Sequence, residues 1–410
     1  MYRRHAEITV NTTMKAVVYT GKKEIQVKEI KRPHKEDPND AVLRVTETGI
    51  CGSDLHMYEG RTMFKEGGTV GHEIMGVIEE VGENVKQIKE GDRVVLPFNI
   101  ACGTCYNCAR GYTSACLFMN PDMPHAAYGY TGMGPFQGGQ TEYVRVPFAD
   151  VNCLKLPGTP GDEFEDDFVL LSDVFPTGFY ATELANVRPG STVAIFGAGP
   201  VGLLAAHSAL IKGAAEVYVA DFHGNRLEVA AEFGAVPIDI RNGDPVEQIK
   251  EMRKSNRLIQ GSLRPGEEKM DGVMCGIDAV GYQARSDTDY EREDPTQVIN
   301  NLVKLVNPTG SIGIVGVYVS PDPGAHNKKQ EQGIFEIPIA QIFDKGLTIG
   351  AGQTPVRKYS RELLNLIIAG KAEPSRIVSQ KIRISESPQA YERFDRREEG
   401  YVKVVISMLK

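Results

Sequence analysis

The spacing of hydrophobic and polar residues differs between the first and second parts of the chain. Between Met14 and about residue 171, segments such as AVVY, AVLRVTETG and DRVVLPF alternate or run apolar between glycine and proline breaks. This pattern predicts a β-rich domain. From Thr192 onward, strand-like and helix-like segments take turns, as in TVAIF, PVGLLAAHSALIK, EVYVAD and GNRLEVAAEFG. Such alternation predicts βαβ units around a doubly wound parallel sheet, so the fold class is α/β.

These changes of pattern divide the chain into four predicted segments. Residues 1–13 form an N-terminal tail, residues 14–171 the β-rich domain and residues 172–345 the parallel-sheet domain. Residues 346–410 contain a helical stretch, RELLNLIIAG, and a last strand, YVKVVISM. The polar stretches 255–269 and 285–294 are expected to be surface insertions in the second domain.

Composition and charge narrow the class of partner. The chain has 410 residues, of which 41% are hydrophobic and 24% charged, enough for two ordinary domains. Its net charge of −8 comes without a basic block, which argues against nucleic acid or an anionic membrane as the main partner. No apolar stretch approaches the roughly 20 residues of a membrane span. The N-terminus also lacks the apolar segment of a secretory signal.

The chain has seven cysteines, and their spacing is the first feature that indicates a specific chemistry. Four of them follow the spacing C-x2-C-x2-C-x7-C, which suits a closed tetrahedral zinc site: Cys102, Cys105, Cys108 and Cys116. Such clustering in a long chain without a secretory signal indicates a reducing, cytoplasmic compartment. Cys153 and Cys275 lie among apolar residues and are expected to be small core side chains.

A second set of metal-type residues stands apart from this loop. Cys51 lies in GICGSDLH and His72 in GHE. The four-cysteine site is already complete, so these two residues suggest a second metal with too few local ligands. An incomplete shell is what a catalytic zinc requires. One closed and one open site therefore point to an enzyme.

A glycine motif indicates a dinucleotide. Gly197, Gly199 and Gly202 follow the predicted strand TVAIF and open a helix, the setting in which G-x-G-x-x-G binds a pyrophosphate. The next strand ends at Asp221, at the spacing of an acid that accepts the ribose 2′-hydroxyl and repels a 2′-phosphate. This favours NAD over NADP. Arg226 nearby could offset some of the repulsion and leaves NADP open.

Three motifs together resemble the zinc-dependent medium-chain alcohol dehydrogenase family. They are GICGSDLH with GHEIMGVIEEVG, the four-cysteine lobe and AIFGAGPVGLLAA. Within this family the chain is most similar to the glutathione-independent formaldehyde dehydrogenases, through CGSDLHMYEGRT, LPFNIACGTC, LLSDVFPTG, YVSPDPGA and GQTPVRKYSRELL. The resemblance implies a GroES-like catalytic domain plus a Rossmann domain, with residues 346–410 returning to the catalytic domain.

The resemblance also implies roles around the catalytic zinc. Cys51 and His72 match two ligands, and Asp173 stands where many alcohol dehydrogenases have a third, a cysteine; the formaldehyde dehydrogenases also have aspartate there. A carboxylate donates less electron density than a thiolate and leaves a stronger Lewis acid. Without the resemblance, Asp173 would be read as a helix cap.

Further residues of this site match the family in supporting roles. Asp54 is placed to accept the free N–H of His72. Glu73 would approach the metal during ligand exchange or serve as a buried structural carboxylate. Ser53 and His56 match a proton relay from the substrate oxygen to solvent, although His56 alone would be read as a surface residue. Phe98 matches a pocket-lining aromatic or is an ordinary buried side chain.

On the cofactor side, the resemblance implies contacts from ten residues besides the three glycines. They are Pro200, Val201, Asp221, Arg226, Val280, Arg285, Val315, Val317, Gln353 and Thr354. Two positions depart from the subgroup, because Asp287 stands where it has a histidine and TIGAGQT lacks a histidine before its G-Q-T. The first change could weaken cofactor retention, and the second could alter the substrate pocket.

The implied function is hydride transfer between an aldehyde hydrate or a primary alcohol and NAD, with two zinc ions per chain. If NADH stays bound, a second aldehyde can take the hydride back, which gives dismutation. The expected partner is a small-molecule aldehyde or alcohol, and relatives suggest a homotetramer. Two alternatives remain, a broader alcohol or polyol dehydrogenase and a non-catalytic zinc and nucleotide-binding protein.

Overall fold

A computed structural model describes residues 12–409, and the predicted tail lies almost entirely outside them. The β-rich part begins with a two-stranded antiparallel sheet and continues with a larger sheet. Its strands are β1 (Thr13–Gly21), β2 (Glu24–Lys31), β3 (Ala41–Ile50), β4 (Glu73–Val81), β5 (Arg93–Leu96), β6 (Tyr143–Val146) and β7 (Leu154–Lys155). Its helices are α1 (Gly52–Tyr58), α2 (Tyr106–Ala109), α3 (Ala149–Asn152) and α4 (Glu165–Val169).

The second part is a parallel six-stranded sheet with helices on its faces. Its strands are β8 (Thr192–Phe196), β9 (Glu216–Asp221), β10 (Val236–Asp239), β11 (Val273–Asp278), β12 (Val306–Ile314) and β13 (Thr348–Ala351). Its helices are α5 (Val174–Leu184), α6 (Pro200–Ile211), α7 (Gly224–Glu232), α8 (Pro245–Ser255), α9 (Arg257–Ser262), α10 (Gln297–Leu305), α11 (Lys328–Glu331) and α12 (Ile339–Lys345). The strand order β10-β9-β8-β11-β12-β13 is that of a doubly wound sheet, which confirms the predicted α/β class.

The C-terminal segment joins the two parts. It contains α13 (Val356–Ile368), β14 (Gln380–Arg383), α14 (Ser387–Asp395) and β15 (Val404–Ser407). β15 pairs with β3, so the chain end completes a seven-stranded sheet, in which six strands follow the order β14-β15-β3-β4-β5-β7 and β6 pairs with β3 as the seventh. β13 instead pairs with β12, and the parallel sheet therefore extends past residue 345, where the sequence places the end of that domain.

Sequence pattern explains the parallel sheet. β8 reads TVAIF and is buried on both faces, as parallel strands covered by helices are. α6 begins with Pro200 in its first turn, a position where the missing N–H costs nothing. Ten of its twelve residues are hydrophobic or small, because the helix packs between the sheet and α5. Between residues 12 and 409, no helix is both long and apolar enough to cross a membrane.

A cavity of about 530 Å³ lies between the two sheets. One end is formed by α1, the loop before β4 and the start of α5, and the other by the carboxyl ends of β8, β9, β11 and β12. Ligands of doubly wound folds bind beyond these strand ends. The cavity therefore brings the predicted metal and dinucleotide residues to one place.

Candidate active site

Three side chains from distant parts of the chain converge at the inner end of the cavity. Cys51 precedes α1, His72 precedes β4 and Asp173 precedes α5. The Asp173 Oδ2 atom lies 3.1 Å from His72 Nε2 and 3.5 Å from Cys51 Sγ. All three side chains are buried.

The donor set fits zinc. Ligands at 2.0–2.3 Å from a tetrahedral zinc lie roughly 3.2–3.8 Å from one another, close to the two distances from Asp173 Oδ2 to His72 Nε2 and to Cys51 Sγ. Burial raises the pKa of the Cys51 thiol, and the Asp173 carboxylate raises it further. A zinc ion at this buried point would offset the charge of the two acidic groups. Three protein ligands would leave a fourth position for substrate, and a Glu73 carboxylate oxygen also lies within 4.8 Å of the other three donor atoms.

Asp173 occupies the N-cap position of α5, but its side chain does not cap the helix. That side chain accepts no bond from the helix backbone. Its Oδ1 atom accepts a hydrogen bond from the Thr177 hydroxyl at 2.8 Å, and its Oδ2 atom faces His72 and Cys51. Thr177 thus fixes the rotamer that directs the carboxylate into the site. The helix-cap interpretation describes the position of Asp173 but not the contacts of its side chain.

Three charged side chains lie next to the candidate ligands: Asp54, Glu73 and Lys403. Asp54 Oδ1 lies 3.2 Å from His72 Nδ1, but neither atom forms a hydrogen bond among the described residues. The other Asp54 oxygen, Oδ2, accepts from the Cys51 N–H at 3.0 Å. Glu73 Oε1 lies 2.5 Å from Lys403 Nζ, and both side chains are fully buried. Lys403 also donates to the Ile50 carbonyl at 3.0 Å. Sequence reasoning missed Lys403, since only the pairing of β15 with β3 brings it here.

The two relay candidates, Ser53 and His56, both line the cavity. Ser53 Oγ lies 3.3 Å from His72 Nε2, at the edge of the candidate metal site. His56 is buried rather than on the surface, with its ring 4.9 Å from that of Tyr282. Burial lowers the pKa of His56 to about 4, so its imidazole is neutral near pH 7 and would hold a proton only transiently. Within residues 12–409, no hydrogen bond joins Ser53 directly to His56.

Aromatic and thioether side chains form the wall opposite these residues. Phe98 is buried and its ring lies 6.0 Å from that of His72, edge to face. Tyr130 and Met133 pack beside it on the same wall. The Tyr130 hydroxyl is buried without a hydrogen-bond partner among the described residues. Sequence reasoning missed Tyr130, which lies in a glycine-rich loop with no recognisable motif.

The four-cysteine lobe forms a separate, closed cluster. The Sγ atoms of Cys102, Cys105, Cys108 and Cys116 all lie within 4.8 Å of one another. Burial would raise the pKa of the Cys105 thiol, but backbone N–H groups donate to it and lower the pKa to about 6. Backbone donors also lower the pKa of Cys102, whereas burial raises the pKa of Cys108 and Cys116. Four converging sulfurs suit a structural zinc. The lobe contributes no side chain to the cavity wall.

The glycine motif forms the other end of the cavity. Gly197 has φ +97°, and Gly202 lies so close to the Gly197 carbonyl that a Cβ would approach it to 1.8 Å. Nothing lies within 4 Å of a Cβ built on Gly199, which faces open space at the N-terminus of α6. Pro200 and Val201 line the same space. This cradle fits a dinucleotide pyrophosphate, as its charge would face the helix N-terminus.

The remaining cofactor candidates also line the cavity. They are Asp221, Arg226, Val280, Arg285, Val315, Val317, Gln353 and Thr354. Asp221 accepts hydrogen bonds from the backbone N–H groups of Ala198, Phe222 and His223 at 2.7–2.9 Å. Its carboxylate is therefore held rigidly at the end of β9, beside the glycine turn. Thr354 is buried, and its hydroxyl has no partner among residues 12–409.

The departures from the subgroup pattern have local consequences. Asp287 Oδ2 accepts from Gln297 at 2.9 Å and from Asn301 at 2.7 Å, so the carboxylate is tied to α10. Arg285 donates to the carbonyls of Tyr290 and Glu291 and stabilises the 285–294 loop. Ala351 occupies the position before Gly352 and lines the cavity with a side chain smaller than the missing histidine.

Comparisons with known proteins agree with this geometry. Residues 37–158 match the alcohol dehydrogenase GroES-like domain family. The chain is 41% identical to a glutathione-independent formaldehyde dehydrogenase of Pseudomonas aeruginosa, over 93% of this chain and 94% of the relative. It is 37% identical to a formaldehyde dismutase of Pseudomonas putida, over 93% and 95%. Alcohol dehydrogenase TADH from Thermus sp. ATN1 superposes with a TM-score of 0.79 at 34% identity, over 96% and 99% of the two chains.

Proposed function

This chain belongs to the zinc-dependent medium-chain alcohol dehydrogenase family, and we propose that it transfers a hydride between formaldehyde hydrate, or a primary alcohol, and NAD. The observation that supports this proposal most strongly is the convergence of Cys51, His72 and Asp173 in the cavity that also contains the glycine motif. The relatives named for formaldehyde, together with aspartate as the third ligand, favour the aldehyde hydrate over longer alcohols.

The protein's own residues set up the reaction. When bound, zinc supplies a Lewis acid for the substrate oxygen and NAD supplies the hydride acceptor. Ser53, next to His72, is placed to take the substrate's hydroxyl proton. Neutral His56 is the next base towards solvent, with a water or cofactor hydroxyl between the two. Phe98, Tyr130 and Met133 narrow the cavity and exclude water from the reacting carbon.

NAD is the proposed cofactor, with two zinc ions per chain. Asp221, rigid at the end of β9, favours a ribose diol and opposes a 2′-phosphate. The two clusters of candidate ligands support one open zinc and one closed zinc. The closed site would stabilise the lobe rather than take part in chemistry.

The compartment and assembly complete the proposal. The seven cysteines are free, and four of them are arranged for a metal, which supports a reducing cytoplasm. A homotetramer follows from the family resemblance and is tested by light scattering of the purified protein. The proposed reaction requires neither a cytoplasmic location nor a homotetramer.

The substrate is tested by initial rates of NAD and NADP reduction with formaldehyde, methanol, ethanol and benzyl alcohol, without glutathione. Zinc content is measured on the same sample, and Asp173→Asn serves as the matched variant with an impaired site. The proposal expects formaldehyde to be oxidised to formate with NAD, and expects the variant to be inactive. Rapid oxidation of the alcohols with formaldehyde inert would instead assign a broader alcohol dehydrogenase. Inactivity towards all four at two zinc ions per chain would overturn the proposed substrate class.

A further inference from the structure

Arg61 joins the two domains outside the cavity lining, next to Tyr282, whose ring packs against the cavity-lining His56. It follows α1 in the catalytic domain, while its partners Glu293 and Asp322 belong to the cofactor domain. Its guanidinium lies 2.6 Å and 2.8 Å from the two Asp322 carboxylate oxygens, and 3.0 Å and 3.1 Å from those of Glu293. Arg61 Nε and Nη2 thus donate a parallel pair of hydrogen bonds to Asp322, the strongest ion-pair geometry available to arginine, and Nη1 alone donates to both oxygens of Glu293. We call these three residues the Arg61 clasp.

The clasp connects sequence features that the proposed reaction does not use. Arg61 lies in CGSDLHMYEGRT and Asp322 in YVSPDPGA, two stretches that carry the subgroup resemblance, and Glu293 lies in the polar insertion 285–294. These segments are 232 and 261 residues apart in sequence from Arg61. Gly324 provides the room, because a Cβ there would lie 2.5 Å from Arg61 Cδ. The fit between the segments is therefore close and specific.

The clasp also borders the proton relay. The Arg61 guanidinium lies 5.0 Å from the centre of the Tyr282 ring, and that ring is 4.9 Å from the His56 ring. Glu59 of the catalytic domain accepts a further hydrogen bond from Gln283 at 2.5 Å. The contacts from Glu59 to Arg61 thus fasten the end of α1 to the loop after β11. Separating the domains would break all of these contacts at once.

We propose that the Arg61 clasp is a positioning device that holds the domains closed over the bound cofactor and thereby slows its release. The Arg61 and Glu293 side chains are only 12% and 17% exposed, and Asp322 is 4% exposed, so solvent screens these pairs less than surface ones. A cofactor that fills the cleft between two domains leaves when the domains part. Because the clasp must break before the cofactor can leave, its free energy adds to the barrier and lowers the rate of cofactor dissociation.

Slow release has a chemical consequence, which rests on the proposed function. Formaldehyde hydrate gives one hydride to NAD and yields formate and protons. If NADH leaves, the enzyme acts as a dehydrogenase. If NADH stays, a second formaldehyde takes the hydride and one proton to become methanol, and NAD is regenerated. The sum is two formaldehyde and one water to formate, methanol and one proton, with no external oxidant. The clasp would thus favour dismutation over NADH release.

The test compares Arg61→Met, Arg61→Lys and Asp322→Asn with the unaltered zinc-loaded protein. Arg253→Met is the matched control, because Arg253 is also 12% exposed and pairs with Glu216 inside the cofactor domain alone. NADH dissociation is followed by its fluorescence after mixing with excess NAD. Methanol, formate and free NADH are measured after formaldehyde addition. Loss of one partner of a partly buried charge pair acts mainly on dissociation, so Arg61→Met is expected to release NADH about tenfold faster.

The remaining outcomes test the role of the clasp separately from the proposed substrate. Arg61→Lys should be intermediate, because lysine keeps the charge but not the paired geometry. The methanol-to-formate ratio should fall in Arg61→Met and Asp322→Asn and remain unchanged in Arg253→Met. Equal NADH dissociation rates in Arg61→Met and the unaltered protein would overturn the clasp. Faster dissociation without formaldehyde turnover by either protein would overturn the proposed substrate and leave the clasp standing.

Discussion

Replacing Lys403 by methionine removes one half of a fully buried ion pair. Lys403 and Glu73 have no exposed side-chain surface, and Nζ lies 2.5 Å from Glu73 Oε1. The other carboxylate oxygen, Oε2, has no hydrogen-bond partner among the described residues. The variant Lys403→Met leaves the Glu73 carboxylate without its counter-ion, one residue from the candidate ligand His72.

The expected loss follows from this environment. Breaking a buried pair by removing one partner costs about 3–5 kcal/mol of unfolding free energy, because an uncompensated charge stays in a medium of low dielectric. The double variant Glu73→Gln/Lys403→Met removes both charges and should lose less than the sum of the two single variants. Lys155→Met, which breaks the half-exposed pair with Asp92, is the control and should cost at most about 1 kcal/mol.

Urea unfolding at fixed zinc and protein concentrations measures these differences, and metal analysis reports whether the candidate catalytic zinc is retained. The reasoning predicts a large loss for Lys403→Met with partial recovery in the double variant. A loss no greater than that of Lys155→Met would refute it. So would strict additivity of the two single variants.

Three further predictions concern the lobe, the cofactor and acid stability. Cys105→Ser should reduce zinc from two ions per chain to one by metal analysis and lower the melting temperature; retention of both ions would contradict the closed site. Asp221→Asn should raise kcat/KM for NADP relative to NAD about tenfold, or ~1.4 kcal/mol, because it removes the charge that repels a 2′-phosphate; an unchanged ratio would contradict that role. Burial lowers the pKa of His207 to about 4, so it contributes stability above pH 6.5 that is lost as pH falls towards 4. His207→Gln should therefore lose about 2–3 kcal/mol less than the unaltered protein between pH 7 and pH 4.5 in urea unfolding, and parallel pH curves would contradict this.

Local patterns were enough to predict the parallel sheet and the two clusters of metal-type residues. TVAIF followed by a glycine turn and an apolar helix is a complete βαβ signal, and the four cysteines share one short loop. The rest of the site depends on contacts between distant segments. Asp173 is predicted as a ligand only through family resemblance, because nothing local distinguishes it from a helix cap.

Other features could not be predicted because their partners are far apart in sequence. Lys403 reaches Glu73 only once β15 pairs with β3. Arg61 meets Asp322 only once both domains are folded. β13 is short, and its residues Thr348–Ala351 lack strand periodicity; pairing with β12 rather than propensity defines it. Burial of His56 likewise depends on Tyr282 from the other domain.

Dideuterated formaldehyde tests the central claim most directly. The zinc-loaded protein is incubated with this substrate and NAD, and the isolated NADH and formate are analysed by mass spectrometry and NMR. Direct hydride transfer predicts singly deuterated formate and NADH with one deuterium at C4 of the nicotinamide. Unlabelled NADH, or no NADH, formate or methanol from protein with two zinc ions per chain, would contradict the account.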